Sequence, residues 1–354
     1  MSKKTVVVGL SGGVDSSVSA LLLKKQGFNV IGLFMRCWED SDGNCPASKD
    51  LEDVAQIADQ IKIPFYTVNF TKEYKKDVFD EFLSDCKKGL TPNPDILCNS
   101  KIKFNHFYQK AKQLGADFLA TGHYCQVREQ KVLAKGLDPN KDQSYFLYGI
   151  NPSVLKDVLF PIGQLEKKEV RSIAKEYNLV NHDKKDSTGI CFIGKRNFTN
   201  FLSQYIGFTR GDIIDENGNK LGIHNGLAYF TLGQRKGIGV GGPGDAWFVI
   251  KKELSTNKLI IAQGKDHLLL YRSSLVASNL NWFIKPSQIP FKCTAKIRYR
   301  QTDQKCIIEK LENGKVFVSF ETPQRAITAG QSVVFYDGSD CLGGGVISAA
   351  DLQP

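Results

Sequence analysis

The sequence predicts a protein of fold class α/β: a doubly wound parallel sheet, then a small β-rich central domain, then a C-terminal antiparallel β-barrel. The first 205 residues alternate apolar, β-branched runs with runs of helical period, which indicates parallel strands joined by crossover helices. Later runs are short and separated by Asn-Gly and Asp-Gly pairs, which favour hairpins. Because 354 residues are also too many for one core, we expect domains at residues 1–205, 206–270 and 271–354.

The elements of the first domain follow each other in the order strand, helix, strand, helix. Residues 5–10 form an uninterrupted apolar run, which suits a strand buried on both faces. Residues 16–26 have a helical period, and Gly27 follows as a C-terminal cap. The other predicted elements are strands at residues 29–38, 65–70 and 117–121 and helices at residues 47–61, 72–87 and 101–114.

The rest of the chain is punctuated by turn signals. Asn-Gly pairs stand at residues 217–218, 225–226 and 313–314, and an Asp-Gly pair stands at residues 337–338. Such pairs between alternating apolar runs are typical of two-residue hairpin turns. Residues 233–244 are a glycine-heavy stretch within the central domain.

Composition indicates a cytoplasmic protein with reduced thiols. Hydrophobic residues make up 42% and charged residues 24%, which is ordinary for a globular protein. No apolar run approaches the roughly 20 residues that span a bilayer, and the start has no secretion signal, so we expect no membrane partner. The nine cysteines are an odd number in a large chain, which argues against a disulfide framework.

The charge distribution favours a polyanionic partner. The formal net charge is +10 and the sequence pI is near 9.0. Two stretches, residues 268–302 and 96–116, contain no Asp or Glu but several Lys and Arg. Each stretch alone is best interpreted as a basic face exposed to solvent. The two stretches together make a nucleic-acid-binding surface as good an interpretation as two solvated faces.

The segment after the first strand has the composition of a phosphate-binding turn. Glycines let backbone N–H groups close around phosphate oxygens, and a helix N-terminus adds partial positive charge. Asp15 could hold a magnesium ion, although no metal ligand is certain. The alternative is a simple strand-to-helix turn with an Asp/Ser cap, and the Walker pattern is absent. The predicted ATP-binding residues of the turn are Gly9, Leu10, Ser11, Gly12, Gly13, Val14, Asp15 and Ser16.

Two cysteines differ from the others in their predicted setting. Cys98 follows two prolines and Cys191 lies between glycines, so both are expected in loops, with Lys or Arg nearby. Neighbouring cations lower a thiol's pKa and make it reactive. The alternative for each is an inert, half-buried thiol. Because no Cys-x-x-Cys pair occurs, we expect no iron–sulfur cluster.

These motifs resemble those of known enzymes. The turn Ser11-Gly-Gly-Val-Asp-Ser resembles the loop of the ATP pyrophosphatases, the PP-loop or adenine nucleotide alpha-hydrolase superfamily. Further blocks are similar, in order along nearly the whole chain, to the bacterial tRNA-specific 2-thiouridylases. The blocks are Asn93-Pro-Asp-Ile-Leu-Cys-Asn, Ala120-Thr-Gly-His-Tyr, Lys141-Asp-Gln-Ser-Tyr-Phe-Leu, Ser187-Thr-Gly-Ile-Cys-Phe-Ile-Gly and Thr231-Leu-Gly-Gln-Arg-Lys-Gly.

The resemblance implies a reaction in which two groups are activated: the C2 oxygen of a uridine, and the sulfur that replaces it. ATP is the expected co-substrate, with Mg²⁺, and adenylation of the C2 oxygen of the wobble uridine in tRNA turns that oxygen into a leaving group. Sulfur then comes from a persulfide on Cys191, delivered by a sulfur-donor protein. Cys98 is the partner thiol, Asp95 an acid/base or base contact, and a Cys98–Cys191 disulfide is the by-product. The products are 2-thiouridine, AMP and pyrophosphate.

The resemblance also assigns binding residues. Met35 and Gly122 are expected at the adenosine, although Met35 alone reads as a buried strand residue. Asn93, Pro94 and Asp95 border the target base, although Asp95 also suits a turn. Residues expected to contact or position tRNA are His123, Lys141, Asp142, Gln143, Arg298, Tyr299 and Gln331. The alternative for His123 is a core histidine beside a strand end.

Two other functions stay open at this point. One is a pyrophosphatase-type synthetase that activates a small carboxylate, and the other is an inactive RNA-binding protein. The sequence does not identify the tRNAs, the sulfur donor or the oligomeric state, nor whether hydrosulfide is released or the persulfide attacks directly.

Overall fold

The computed structural model describes residues 3–39, 46–129, 131–186, 192–194 and 196–350, with the side chains of residues 46–48 left out. Its first sheet has five parallel strands in the order β3-β2-β1-β4-β7. The first seven strands of the chain are β1 (Thr5–Gly9), β2 (Asn29–Arg36), β3 (Phe65–Asn69), β4 (Phe118–Ala120), β5 (Cys125–Arg128), β6 (Val132–Lys135) and β7 (Val158–Leu159).

Helices cover both faces of this parallel sheet. Val6, Val7 and Val8 of β1 are fully buried, as the continuous apolar run predicts. One face packs on α1, α2 and α8, and the other on the helical segments between Pro94 and Gln113. The helical segments are α1 (Val14–Lys25), α2 (Pro46–Ile61), α3 (Thr71–Tyr74), π1 (Lys75–Phe79), α4 (Asp80–Lys87), α5 (Pro94–Leu97), π2 (Cys98–Phe107), α6 (Tyr108–Gln113), α7 (Ser144–Leu147), α8 (Lys167–Glu176) and α9 (Phe198–Ile206).

The loop predicted around Cys98 is wrong, because helical structure begins earlier, at Pro94. The Oδ1 atom of Asn93 accepts a hydrogen bond from the Asp95 N–H at 3.1 Å, which caps the helix. Proline at the first helical position has no N–H to lose and a φ suited to the helix. Pro94 therefore starts the helix that we expected it to prevent, and Cys98 opens segment π2.

A second sheet has four strands in the order β10-β11-β8-β9. The Asn217-Gly218 pair joins β8 and β9 as a hairpin, as predicted. The Asn225-Gly226 pair instead precedes a short 3₁₀ turn, residues 227–229, so that prediction of a hairpin is wrong. The strands are β8 (Gly211–Asp215), β9 (Lys220–His224), β10 (Trp247–Glu253) and β11 (Lys258–Gln263).

The last six strands form a closed antiparallel barrel, because β12 pairs with both β15 and β17. Asn313-Gly314 and Asp337-Gly338 form the predicted hairpin turns. The β5–β6 hairpin, which the sequence did not reveal, extends this sheet by pairing Ala134 with Asp340. The strands are β12 (Tyr271–Trp282), β13 (Phe291–Lys296), β14 (Gln304–Glu312), β15 (Lys315–Arg325), β16 (Ser332–Asp337) and β17 (Asp340–Ala350).

The predicted fold class is confirmed: a parallel α/β sheet, a small β-rich region and a C-terminal barrel. The boundaries at residues 205 and 270 stay a prediction. Among the helices of the described residues, none combines the length and the apolar character that a bilayer crossing requires.

Candidate active site

The predicted phosphate-binding turn lies at the carboxyl end of the parallel sheet, between β1 and α1. Open α/β sheets bind ligands at this edge. Gly13 stands at the N-cap of α1 and no side chain caps the helix, so the first-turn N–H groups remain open to a ligand. Gly12 has φ +74°, and a Cβ there would lie 2.8 Å from the Asp50 carbonyl oxygen, so only glycine fits. The geometry is that of an anion site.

The side chains of Ser11, Ser16 and Ser17 all make hydrogen bonds within the turn. The hydroxyls of Ser16 and Ser17 donate to the Gly13 carbonyl oxygen at 3.0 and 2.9 Å. The Ser11 N–H donates to the Ser16 Oγ at 3.2 Å. The Ser11 hydroxyl lies 3.2 Å from the Ser16 Oγ and accepts from the Gly13 N–H at 3.4 Å, and Ser11 is the exposed member of the three.

Asp15 is the centre of a charged cluster that sequence reasoning missed. The Lys167 Nζ lies 2.7 and 2.9 Å from the two carboxylate oxygens of Asp15, and the Tyr124 hydroxyl donates to Oδ1 at 2.9 Å. Lys167 also pairs with Asp186 at 2.7 Å. Burial alone would raise the pKa of Asp186, but Lys141 and Lys167 outweigh it and lower the pKa to about 2. The cluster therefore holds the ammonium group of Lys167 beside the phosphate-binding turn.

Two residues of the segment after α8 brace the turn, and one of them also pairs with α2. The Lys184 Nζ donates to the Gly12 carbonyl oxygen at 3.2 Å and pairs with Asp50 at 2.8 Å and Asp53 at 2.6 Å. The Asn181 amide donates to the same carbonyl at 3.0 Å. Lys184, which precedes Cys191 by seven residues in the sequence, thus makes its described contacts to the turn and to α2.

The two residues expected at the adenosine lie on either side of β1. Gly122 follows β4, and a Cβ there would meet the Ser16 nitrogen at 2.7 Å and the Asp15 carbonyl carbon at 2.8 Å. Met35, near the end of β2, is half-buried against the apolar core. Both lie at the sheet edge that carries the turn, and their contact with adenosine stays a prediction.

Cys98 is buried, which agrees with the alternative of an inert thiol and not with the reactive loop thiol that its neighbouring cations suggested. Desolvation raises the pKa of Cys98, and Lys103 offsets this only in part, so the neutral thiol is favoured. The expectation of a lowered pKa is therefore wrong for this conformation. Burial also raises the pKa of Asp95, again with Lys103 as the opposing charge. Asp95, Cys98 and Lys103 thus form one electrostatic group.

Cys191 lies outside the described residues. Its neighbours Phe192 and Ile193 are buried in the same hydrophobic cluster as Cys98. The Phe192 ring packs edge-to-face against Phe79 at 5.0 Å and Phe82 at 5.3 Å. The chain directly after Cys191 is therefore anchored in the cluster that contains the first thiol.

The predicted tRNA-contacting residues from two distant segments come together. The Tyr299 ring packs against Phe146 at 4.4 Å, and the Lys296 Nζ lies 3.3 Å from the Asp142 carboxylate. Asp142 is buried and accepts from the N–H groups of Gly136 and Ser144. Two further side chains of this group are engaged: Gln143 accepts from the Tyr124 N–H, and Lys141 pairs with Asp186.

The other predicted tRNA residues have structural partners. His123 is buried, and burial, aided by Lys103, holds its pKa well below the usual value, so the ring is neutral. Arg298 donates to the carbonyl oxygens of Leu232 at 3.1 Å and Ala326 at 3.0 Å. The Gln331 amide donates to the Thr91 carbonyl oxygen at 2.6 Å, which ties the barrel to the segment before Asn93 and Pro94.

Comparison with known proteins decides the family. Residues 4–195, 199–263 and 272–347 match the models described as tRNA methyl transferase HUP domain, tRNA methyl transferase PRC-barrel domain and Aminomethyltransferase beta-barrel domain. The tRNA-specific 2-thiouridylase MnmA of Protochlamydia amoebophila (strain UWE25) is 55% identical over 352 residues, covering 98% of this chain and 94% of that protein. The chain belongs to the tRNA-specific 2-thiouridylase family.

Other 2-thiouridylases match equally well. The MnmA protein of Francisella tularensis subsp. holarctica (strain LVS) is 55% identical over 359 residues, covering 98% of this chain and all of that protein. Two of the domain models are described as tRNA methyl transferase domains. The 2-thiouridylases, however, align with 98% of this chain at 55% identity, and this decides for the thiouridylase family. The resemblance predicted from the motifs, to a family of tRNA sulfurtransferase enzymes, is confirmed.

Solved structures give weaker likenesses. The U34-tRNA thiolase NcsA from Methanococcus maripaludis, with its 4Fe-4S cluster, is 19% identical, covers 53% of this chain and 60% of that chain, and has a TM-score of 0.36. A 4-thiouridine synthetase–RNA complex with bound ATP is 19% identical, covers 57% and 50%, and has a TM-score of 0.33. Likenesses at this level carry no argument about a 2-thiouridylase.

Proposed function

We propose that this protein is an ATP-dependent tRNA-uridine 2-sulfurtransferase. It adenylates the C2 oxygen of the wobble uridine and replaces that oxygen by sulfur, giving 2-thiouridine, AMP and pyrophosphate. The observation that carries the proposal is the uncapped N-terminus of α1 behind the glycine turn, with the Lys167 ammonium beside it. Its place of action is the cytoplasm, where tRNA is found.

The turn from Gly9 to Ser16 holds the β and γ phosphates of ATP through backbone N–H groups, and Met35 and Gly122 line the adenosine. Mg²⁺ is usually bound by one or two carboxylates together with substrate phosphates. Asp15 is the carboxylate at the turn that would hold Mg²⁺, and the ion would neutralise phosphate charge when bound. Because Lys167 and Tyr124 contact the Asp15 oxygens in this structure, those contacts would have to give way to the ion. Lys167 contributes a further positive charge.

Sulfur transfer uses the two thiols. Cys191 carries a persulfide from a sulfur-donor protein. In one order of events, the Cys98 thiol loses its proton and attacks the Cys191 sulfur; hydrosulfide leaves, the disulfide forms, and hydrosulfide adds to C2 as AMP departs. In the other, the terminal persulfide sulfur attacks C2 and expels AMP, and Cys98 then cleaves the sulfur–sulfur bond. Both leave the same Cys98–Cys191 disulfide, which a reductant must reopen.

Burial of Asp95 and Cys98 supports a reaction shielded from water. Burial raises the pKa of Asp95, which brings the carboxyl group closer to the range in which a general acid or base works well. A single-stranded anticodon-loop uridine can be turned out of its stack and presented to these residues. Asn93, Pro94 and Asp95 then border the base. The residues that position the tRNA are His123, Lys141, Asp142, Gln143, Arg298, Tyr299 and Gln331.

The test is incubation of the protein with unmodified tRNA, ATP, Mg²⁺ and a sulfide source, followed by nucleoside analysis. We expect 2-thiouridine from the wild-type protein, and a loss with Cys98→Ser under persulfide-dependent conditions. Cys86→Ser is the matched control, because Cys86 is buried in the same hydrophobic cluster. Full activity of Cys98→Ser with a protein persulfide as the sulfur source would refute the two-thiol scheme.

The two rival functions give different results in the same assay. Pyrophosphate release that responds to a small carboxylate, and not to tRNA, would identify a small-molecule synthetase. Failure to bind ATP, with tRNA binding intact, would identify an inactive RNA-binding protein.

A further inference from the structure

A glycine-rich loop of the central region, residues 231–246, leads into β10 and carries two unpaired cations. Arg235 and Lys236 are exposed, and within the described part of the chain neither side chain has an ion-pair or hydrogen-bond partner. Residues 217–244 contain no Asp or Glu. Gly239 has φ +81°, a backbone conformation that favours glycine. No atom lies within 4 Å of a Cβ placed there, so this part of the loop is not packed against the rest of the described protein.

The base of the loop is fixed beside the candidate active site. The hydroxyls of Thr231 and Thr91 lie 3.4 Å apart, and Thr91 begins the segment that leads to Asp95 and Cys98. The Leu232 carbonyl oxygen accepts a hydrogen bond from Arg298 at 3.1 Å. Further along, Ile238 is buried in the hydrophobic cluster that contains Cys98. The two cations therefore project from a loop that is anchored at three points.

The loop also continues a basic groove of the barrel. This groove, with a volume of 450 Å³, is lined by Arg298, Tyr299, Arg300 and Arg325 among others. A Cβ on Gly233 would lie 3.0 Å from the Arg325 guanidinium, so the loop begins at the edge of the groove. The loop and the groove form one surface rich in positive charge.

We propose that Arg235 and Lys236 bind backbone phosphates of the tRNA substrate next to the target uridine. The inference rests on the proposed function, because it assumes that the uridine is presented near Asp95 and Cys98. Cations without protein partners bind phosphate by releasing counterions and break no ion pair in doing so. The exposed part of the loop is mostly Gly, Arg, Lys and Pro, so it lacks the apolar core that a protein partner such as the sulfur donor needs.

The test is equilibrium binding of unmodified tRNA to the full chain at several salt concentrations. The variant is Arg235→Ala with Lys236→Ala, and the control with the same charge change is Lys3→Ala with Lys4→Ala, at the opposite end of β1 from the phosphate-binding turn. We expect the plot of log affinity against log salt to become shallower by about 1.4, that is about 0.7 for each lost single-strand phosphate contact. The Kd should rise about tenfold at physiological salt, and Arg235→Lys should retain the slope.

Equal slopes and affinities for the loop variant and the control would overturn the proposal. So would unchanged tRNA binding combined with lost transfer from a protein persulfide but not from inorganic sulfide, since that result assigns the loop to the sulfur donor. Because the readout is binding, a wild-type protein that forms no 2-thiouridine would refute the proposed function separately.

Discussion

Cys98 has a proposed catalytic role, but its surroundings in the structure make the thiol unreactive. The thiol is buried, and desolvation raises its pKa despite Lys103. A thiol in this state resists adventitious oxidation, since only the thiolate is strongly nucleophilic. We infer that the surroundings of Cys98, including Asp95 and Lys103, must change when substrate binds, so that the thiol can lose its proton.

The burial of Cys98 predicts its labelling pattern. In the protein without substrates, iodoacetamide should label the half-buried Cys293 well before Cys98 at pH 7. The labelling rate of Cys98 should keep rising with pH beyond about 9, because its pKa is raised from the ordinary value. Peptide mass spectrometry measures both rates. Fast labelling of Cys98 that levels off near neutral pH would contradict the buried, neutral thiol.

Lys167 is the residue whose role owes most to the structure. Replacing Lys167 by Gln should lower tRNA-dependent AMP formation about 10²–10³-fold, because the variant removes a positive charge beside the phosphates. Lys168→Gln is the matched control, since that side chain is exposed and pairs with Glu166 instead. Rates of AMP release with radiolabelled ATP check this. Equal rates in the two variants would remove Lys167 from the site.

At the scale of elements, the sequence predicted the type of element better than its ends. The strand at residues 5–10 and the helix after the glycine turn were clear from their periods. The helix start at Pro94 was missed because proline both ends helices and begins them, and the Asn93 cap decides between the two. The β5–β6 hairpin was missed because residues 129–131, between its two strands, contain no Gly, Pro, Asn or Asp to signal a turn.

Gly122 joins β4 to the start of α1 by close backbone contact. A Cβ there would lie 2.7 Å from the Ser16 nitrogen, and backbone cannot move aside as a side chain can. Gly122→Ala should therefore lower the free energy of unfolding by about 1–3 kcal/mol and raise the KM for ATP. Gly149→Ala is the control, because its nearest contact is an ordinary 3.5 Å. Denaturant unfolding and ATP kinetics check the pair; the account fails here if both variants behave alike.

At the scale of the whole molecule, folding assembles the site from segments that the sequence keeps apart. Asp142 pairs with Lys296 and interacts electrostatically with Tyr299. The Gln331 amide donates a hydrogen bond to the Thr91 carbonyl oxygen. Motif resemblance named most of these residues but not their partners. Lys167 and Lys184 carry no local signal, since a lysine near a helix start is ordinary, and only the tertiary fold places them at the turn.

Buried His123 predicts a pH dependence of global stability. Its folded-state pKa lies well below that of the unfolded chain, so between these values the unfolded state binds the extra proton. The free energy of unfolding should therefore fall as pH drops below about 6.5, by about 1.4 kcal/mol per pH unit from this residue. His123→Asn should flatten the slope and the exposed His182→Asn should not. Urea unfolding from pH 7.5 to 5.5 measures it; identical slopes in both variants and wild type would contradict the assignment.

In the proposed reaction, AMP is loaded onto the C2 oxygen of a tRNA uridine. The most direct measurement uses tRNA with oxygen-18 at C2 of the wobble uridine, with ATP, Mg²⁺ and a sulfide source. Since the C2–O bond breaks as AMP leaves, the account predicts that the label appears in the phosphate of AMP, in equal amount to the 2-thiouridine formed. Unlabelled AMP alongside 2-thiouridine, with the label released to water or pyrophosphate, would contradict it.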